Sequence, residues 1–233
     1  MPLDKQLQQA VLAELGWDPS VNAAHIGVTA NAGVVTLTGH VETYAEKHGA
    51  ETAACRVRGV KAVAEEIQVE LPFERTRGDD EIAAAVIERL AWDTSVPPDA
   101  VSVKVEQGWV TLTGSVTWQY QKEAAGQDVA RLHGVVGLAN QLIVTPAVNV
   151  PDITRTIRDA LRRSCLLHDE NITVRADGGH IHLIGTVGSA YERRIASVTA
   201  WAAPGATGVT NDLAILWRMS KQKTKGSSER PRH

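Results

Sequence analysis

Three glycines recur in fixed register along this chain, and no other feature limits the fold as strongly. Gly33, Gly39 and Gly59 match Gly108, Gly114 and Gly134 at an offset of 75, and these match Gly179, Gly185 and Gly205 at an offset of 71. The same offsets align Leu7, Val11 and Leu15 with Ile82, Val86 and Leu90, and then with Ile153, Ile157 and Leu161. No internal gap is needed. The 233 residues are therefore three copies of one unit, joined by linkers of different length.

Each copy reads as helix, strand, strand, helix, strand. The first helix carries apolar residues at i, i+4 and i+8, one face of a 3.6-residue period. Asp4 and Asp79 are expected at its N-cap, and Pro151 at its start in the third copy. Two strands with period-2 alternation follow. In copy one they are 26–30 and 34–40, joined by a tight link containing Asn31 and Gly33. Their second members place Val35 and Leu37, Val110 and Leu112, and Ile181 and Leu183 toward the core.

A second helix is expected over about 42–58, 117–133 and 189–203, with Gly59, Gly134 and Gly205 just after it. The last strand turns Ile67, Val69 and Leu71 inward, then Leu142 and Val144, then Leu213 and Ile215. A strand–helix–strand crossover is right-handed and locally parallel. The expected fold is α+β: three tandem αββαβ units, each a small mixed three-stranded sheet with two helices on one face. The units are placed at 1–73, 79–146 and 149–217, with a disordered basic tail at 218–233. A unit of about 70 residues has a small core, so the copies are expected to pack on one another.

Composition excludes several classes. The chain is 43% hydrophobic and 22% charged, an ordinary globular balance. No run approaches the roughly 20 apolar residues of a membrane span. The N-terminus carries Asp4 and Glu14 without a basic start, so a cytoplasmic location is expected. Cys55 and Cys165 occupy non-equivalent positions, which argues against a disulfide framework, and two thiols do not close a zinc site. No G-x-S-x-G, phosphate loop, dinucleotide fingerprint or H-E-x-x-H is present. No catalytic residue, cofactor or metal is assigned.

The strings "NAGVVTLTGHV", "EQGWVTLTGSV" and "DGGHIHLIGTV" each lead into a helix with a matched basic residue, Lys47, Lys122 or Arg193. They then reach "RGVKAVAEEIQV", "HGVVGLANQLIV" and "PGATGVTNDLAI". This pattern resembles the BON (bacterial OsmY and nodulation) family over residues 3–217. Asn140 and Asn211 fit the family's last-strand Asn, whereas copy one has Glu65, and Ala206 replaces the Val after the third glycine. The string "WVTLTGSVTWQYQKEAA" resembles family members with three copies and no export signal. The resemblance implies attachment to phospholipid surfaces or a stress-protective binding role. Potassium binding, known for one single-domain relative, is the alternative it raises.

Charge separates the copies. Residues 1–73 hold 5 basic and 9 acidic residues, 79–146 hold 4 and 9, 147–217 hold 7 and 7, and 218–233 hold 6 and 1. Arg155, Arg158 and Arg162 share one face of a helix, Arg193 and Arg194 open another, and Lys221, Lys223 and Lys225 lie in the tail. These eight are the candidate contacts to anionic phospholipid, as a peripheral association with the inner membrane. The acidic copies offer Glu65 and Glu66, or Asp79, Asp80 and Glu81, to a cation such as potassium, without the spacing of a calcium loop. His180 and His182 face one way on a strand but are too few for a metal site. The open sheet faces, with Thr36, Thr38, Trp109, Thr111, Thr113, His180 and His182, offer a scaffold for other proteins. The tail has no aromatic side chain for base stacking, so nucleic acid is not an expected partner.

Overall fold

A computed structural model describes residues 2–73, 76–146, 152–163 and 171–216. Copy one contains α1 (Pro2–Trp17), β1 (Ile26–Asn31), β2 (Val34–Val41), α2 (Tyr44–Arg56) and β3 (Ala62–Val69). Copy two contains α3 (Asp79–Trp92), β4 (Val101–Glu106), β5 (Trp109–Val116), α4 (Gln119–Ala130), β6 (Gly137–Asn140) and β7 (Ile143–Val144). Copy three contains α5 (Ile153–Arg163), β8 (Ile172–Asp177), β9 (His180–Val187), α6 (Ala190–Trp201) and β10 (Gly208–Ile215).

The sheets have one topology. In each copy the hairpin is antiparallel, and the final strand runs parallel to its second member. The second member is central, and it supplies the two most deeply buried strand residues. Val35, Leu37, Val110, Leu112, Ile181 and Leu183 are all fully buried. They meet the buried faces of the first helices: Leu7, Val11 and Leu15, then Ile82, Val86 and Leu90, then Ile153, Ile157 and Leu161. In copy two the last strand is interrupted after Asn140. Its register on β5 is unchanged, since Leu112 faces Asn140 and Ser115 faces Ile143.

Alanines on the second helix admit close approach to this layer. Ala50, Ala53 and Ala54 of α2 and Ala196 and Ala200 of α6 have no exposed surface. The second helices start later than the sequence reading places them. Thr43 and Ser189 are extended, and their hydroxyls accept the N–H of Glu46 at 3.2 Å and Glu192 at 3.1 Å. The reach-back is complete in both: Glu46 accepts the Glu42 N–H, and Glu192 the Gly188 N–H.

Asp4 and Asp79 are not the N-caps the sequence suggested. α1 begins at Pro2, and α3 follows Gly78. Each aspartate instead holds its own hairpin turn. Asp4 accepts the Ala32 N–H at 2.9 Å, and Asp79 accepts those of Gln107 and Gly108, both at 2.8 Å. Asn31, read as part of the tight link, lies on the strand and not in the turn. It ends β1, while Ala32 and Gly33 take φ of 50° and 89°. Gln107 and Gly108, and Gly178 and Gly179, repeat that pair of positive φ values. The turn therefore has the primed form whose twist matches a hairpin.

One glycine per copy is demanded by contact as well as by φ. Gly39, Gly114 and Gly185 have φ of 115°, 130° and 143°. A β-carbon there would overlap the carbonyl oxygens of His25, Ala100 and Asn171 on the neighbouring chain segment.

The copies pack on one another, as their small cores require. Tyr44 at the start of α2 and Trp201 at the end of α6 both rest against the core of copy two. Arg194 of α6 donates to the Thr52 hydroxyl of α2 at 3.3 Å. Pro151, Cys165 and the tail 218–233 lie outside the described residues.

Candidate functional site

The matched basic residues of the second helices serve the fold first. Lys47 and Lys122 donate through Nζ to the carbonyls of Ile67 and Leu142, each at 2.7 Å. Arg193 donates through Nη2 to the Asn211 carbonyl at 2.7 Å. The last-strand asparagines complete the clasp. Asn140 Nδ2 donates to the Lys122 carbonyl at 2.7 Å, and its Oδ1 accepts the Leu142 N–H. Asn211 repeats this with Arg193 and Leu213. Glu65 replaces the asparagine in copy one. It accepts the Ile67 N–H at 2.6 Å and pairs with Lys47 at 3.0 Å. The exception in the repeat is thus a charged version of the same clasp.

Copy three presents a cationic helix face. On α5 the residues Arg155, Arg158 and Arg162 are exposed, while Ile153, Ile157 and Leu161 on the opposite side are buried. Arg163 adds a fourth exposed guanidinium in the last turn. At the matched positions copies one and two carry Gln9, Leu12 and Gly16, and Ala84, Ile87 and Ala91. Arg194 is engaged elsewhere, held by Thr52 of copy one. Lys221, Lys223 and Lys225 lie outside the described residues.

The three second helices border a cleft of about 660 Å³. Tyr44, His48 and Thr52 come from α2, Gln127 from α4, and Arg194 and Val198 from α6. Burial raises the Tyr44 hydroxyl above its ordinary range, helped by the charges of Glu51 and Glu65. The His48 hydrogen bond holds Glu51 below the usual carboxylate range against burial, and the Arg194 charge adds to it. Cys55, half-buried, has its thiol raised by burial. Sequence reading missed this cleft because its walls come from three separate copies.

Two further features follow the repeat offset. Trp17 and Trp92 occupy matched positions at the ends of α1 and α3 and are 83% and 78% exposed. The ring of Trp109 covers Gly137, and that of His180 covers Gly208, again at matched positions. His180 Nε2 lies 2.8 Å from the Thr210 hydroxyl oxygen, and the His180 and His182 rings meet edge-on at 4.8 Å. Among the described residues no group of three or more His, Cys, Asp or Glu forms a metal-binding cluster. No helix among them is long and apolar enough to cross a membrane.

The Osmotically-inducible protein Y of Escherichia coli (strain K12) is 29% identical over 143 residues, covering 60% of this chain and 71% of that protein. Among solved structures, CdsD, a structural protein of the type III secretion system of Chlamydia trachomatis, aligns over 91% of this chain and 93% of its own at 15% identity, with a TM-score of 0.26. A second structure, the C-terminal domain of CdsD, aligns over 90% and 97% at 17% identity, with a TM-score of 0.25. The family model described as BON domain matches residues 3–70, 78–146 and 149–216, so the chain belongs to the BON domain family, with three tandem copies.

Proposed function

We propose that this chain is a non-enzymatic binding protein of the osmotic stress response that attaches peripherally to anionic phospholipid on the cytoplasmic face of the membrane. The family and the likeness to the Osmotically-inducible protein Y support the stress role. The α5 face carries the lipid reading. Its arginines 155, 158 and 162 project from a helix anchored by three buried aliphatic residues, so a cationic surface is held on a rigid support. Each guanidinium near an anionic surface contributes about 1 kcal/mol at modest salt. Arg193 and Arg194 support the helix layer and the contact with copy one, so they act in this reading by positioning. Lys221, Lys223 and Lys225 add charge that follows copy three directly in sequence.

Vesicle co-sedimentation tests the proposal. The chain should pellet with vesicles rich in phosphatidylglycerol at low salt, be released by added salt, and stay in solution with pure phosphatidylcholine. A chain that ignores anionic vesicles at low salt, with and without residues 218–233, refutes the lipid reading.

A further inference from the structure

Copies one and two close the junction of their two helices with opposite charge arrangements. In copy one, Arg56 of α2 holds Glu14 at 3.0 Å and Asp18 at 2.6 Å on α1 and the turn after it. The matched residues of copy two are Arg131, Arg89 and Asp93. With arginine at both 89 and 131, the first of those pairs cannot form. Arg89 turns instead to Asp128, its Nε and Nη2 lying 2.8 and 2.7 Å from Oδ1.

Asp128 stands where copy one has the fully buried Ala53. It is only 4% exposed, and its Oδ2 is buried without a hydrogen-bond partner. Asp93 lines the same cleft beside the Asp128 carboxyl, and its own carboxyl accepts the Ser95 N–H at 2.7 Å. Two carboxylates therefore meet with no donor between them. An ionised carboxylate can only accept, and a buried acceptor left unpaired is costly. A single proton removes the conflict.

The surroundings decide which carboxyl holds that proton. Burial raises Asp128 against the pull of Arg89, whereas the Ser95 backbone N–H lowers Asp93. The charged groups facing the pair are Arg89 from α3 and Arg131 at the C-terminal end of α4. The rest of the surrounding 410 Å³ cleft is neutral: Trp92, Thr94, Ser95, Ala124 and Gln127.

We propose that Asp93 and Asp128 hold one proton between them, with Asp128 Oδ2–H donating to Asp93, so that the α3–α4 junction is a proton-binding site. The device is confined to copy two, because copies one and three have Ala53 and Thr199 in place of Asp128. Its reach is wider. Gln127 and Arg131 line both this cleft and the larger one between the three copies. Loss of the proton therefore loosens helix ends that also shape the central cleft.

The pH dependence follows from the raised Asp128. The folded state binds this proton more tightly than the unfolded chain. Its contribution is fully present below the ordinary aspartate range and is lost as pH rises through the raised value of the pair. Across that window the unfolding equilibrium constant rises about tenfold per pH unit for one proton.

Denaturant unfolding of the full chain from pH 4 to 8, with carbon-13 titration of the aspartate carboxyls, tests this. The wild type should show the loss with rising pH. Asp128→Asn should remove it, and Asp93→Asn should weaken it, because an amide supplies the missing donor at every pH while burial still raises Asp128. Asp128 should titrate above the ordinary range and Asp93 below it, and Asp93→Asn should bring the Asp128 titration down without returning it fully to the ordinary range, since burial remains. If Asp128→Asn does not fold, Asp93→Asn and the wild-type titration decide. Ordinary titration of both carboxyls, with wild-type pH dependence retained in the Asn variants, overturns the proposal in favour of a bridging water.

Discussion

The helices α3 and α5 bury the same face and show opposite ones. Ile82, Val86 and Leu90 match Ile153, Ile157 and Leu161, and all six are buried. Turned outward at matched positions are Ala84, Ile87 and Ala91 on α3, but Arg155, Arg158 and Arg162 on α5. The repeat constrains only the residues that meet the sheet. A position that touches solvent is free to diverge, so the surface of each copy has to be read separately. The junctions of copies one and two teach the same lesson inside the protein: a charge pair can be rebuilt with its signs exchanged, provided the new arrangement still finds partners.

If the buried register is shared, the same damage should cost the same in each copy. Gly39→Ala, Gly114→Ala and Gly185→Ala place a β-carbon against a backbone oxygen at strongly positive φ. Each should lose about 3 kcal/mol or more by denaturant unfolding. Gly178→Ala meets open space at a φ of 54° and should lose about 1 kcal/mol. A mild effect at any of the first three would break the equivalence of the copies.

The last-strand clasp gives a smaller effect. Asn211→Ala removes the hydrogen bonds to the Arg193 carbonyl and from the Leu213 N–H and should cost about 1.5 kcal/mol. Glu65→Asn in copy one exchanges one version of the clasp for the other, so it should change stability by less than about 1 kcal/mol. Equal losses in the two variants would show that the Glu65 version works differently.

The two helix junctions should also answer pH in opposite directions. In copy one the Ser20 hydroxyl and the Arg56 guanidinium hold Asp18 down to about 2. Its contribution is present above the unfolded aspartate range and is lost as pH falls toward 2. Arg56→Ala should flatten the acid limb of the stability profile below pH 4, leaving the limb from the Asp93–Asp128 pair unchanged. Loss of both limbs in Arg56→Ala would mean that the junctions are not independent.

Most of the fold was legible because the offsets carry glycines and apolar residues together. The positions Val35, Val110 and Ile181 could be placed in a core without knowing what surrounds them. Contacts between distant segments were not legible. Asp4 looks like a cap beside its own helix, yet its partner is Ala32, 28 residues away in a turn. The central cleft is bordered by Tyr44, Gln127 and Arg194 from three different copies, and no period in the sequence encodes that. The Arg89–Asp128 pair did leave a signal, since a carboxylate at an aligned buried alanine position demands a partner. Of the candidate lipid contacts, the α5 arginines were legible as one face, whereas the commitment of Arg193 to the Asn211 carbonyl was not.

The copies share a core, and in the proposed function copy three meets the membrane through its divergent face. Vesicle binding by the chain with Arg155→Ala, Arg158→Ala and Arg162→Ala together tests it most directly, against a control carrying Leu12→Ala and Ile87→Ala at matched positions. Affinity for phosphatidylglycerol vesicles should fall about a hundredfold in the triple variant, from about 1 kcal/mol per arginine, and stay near wild type in the control. Unchanged binding by a folded triple variant would contradict it.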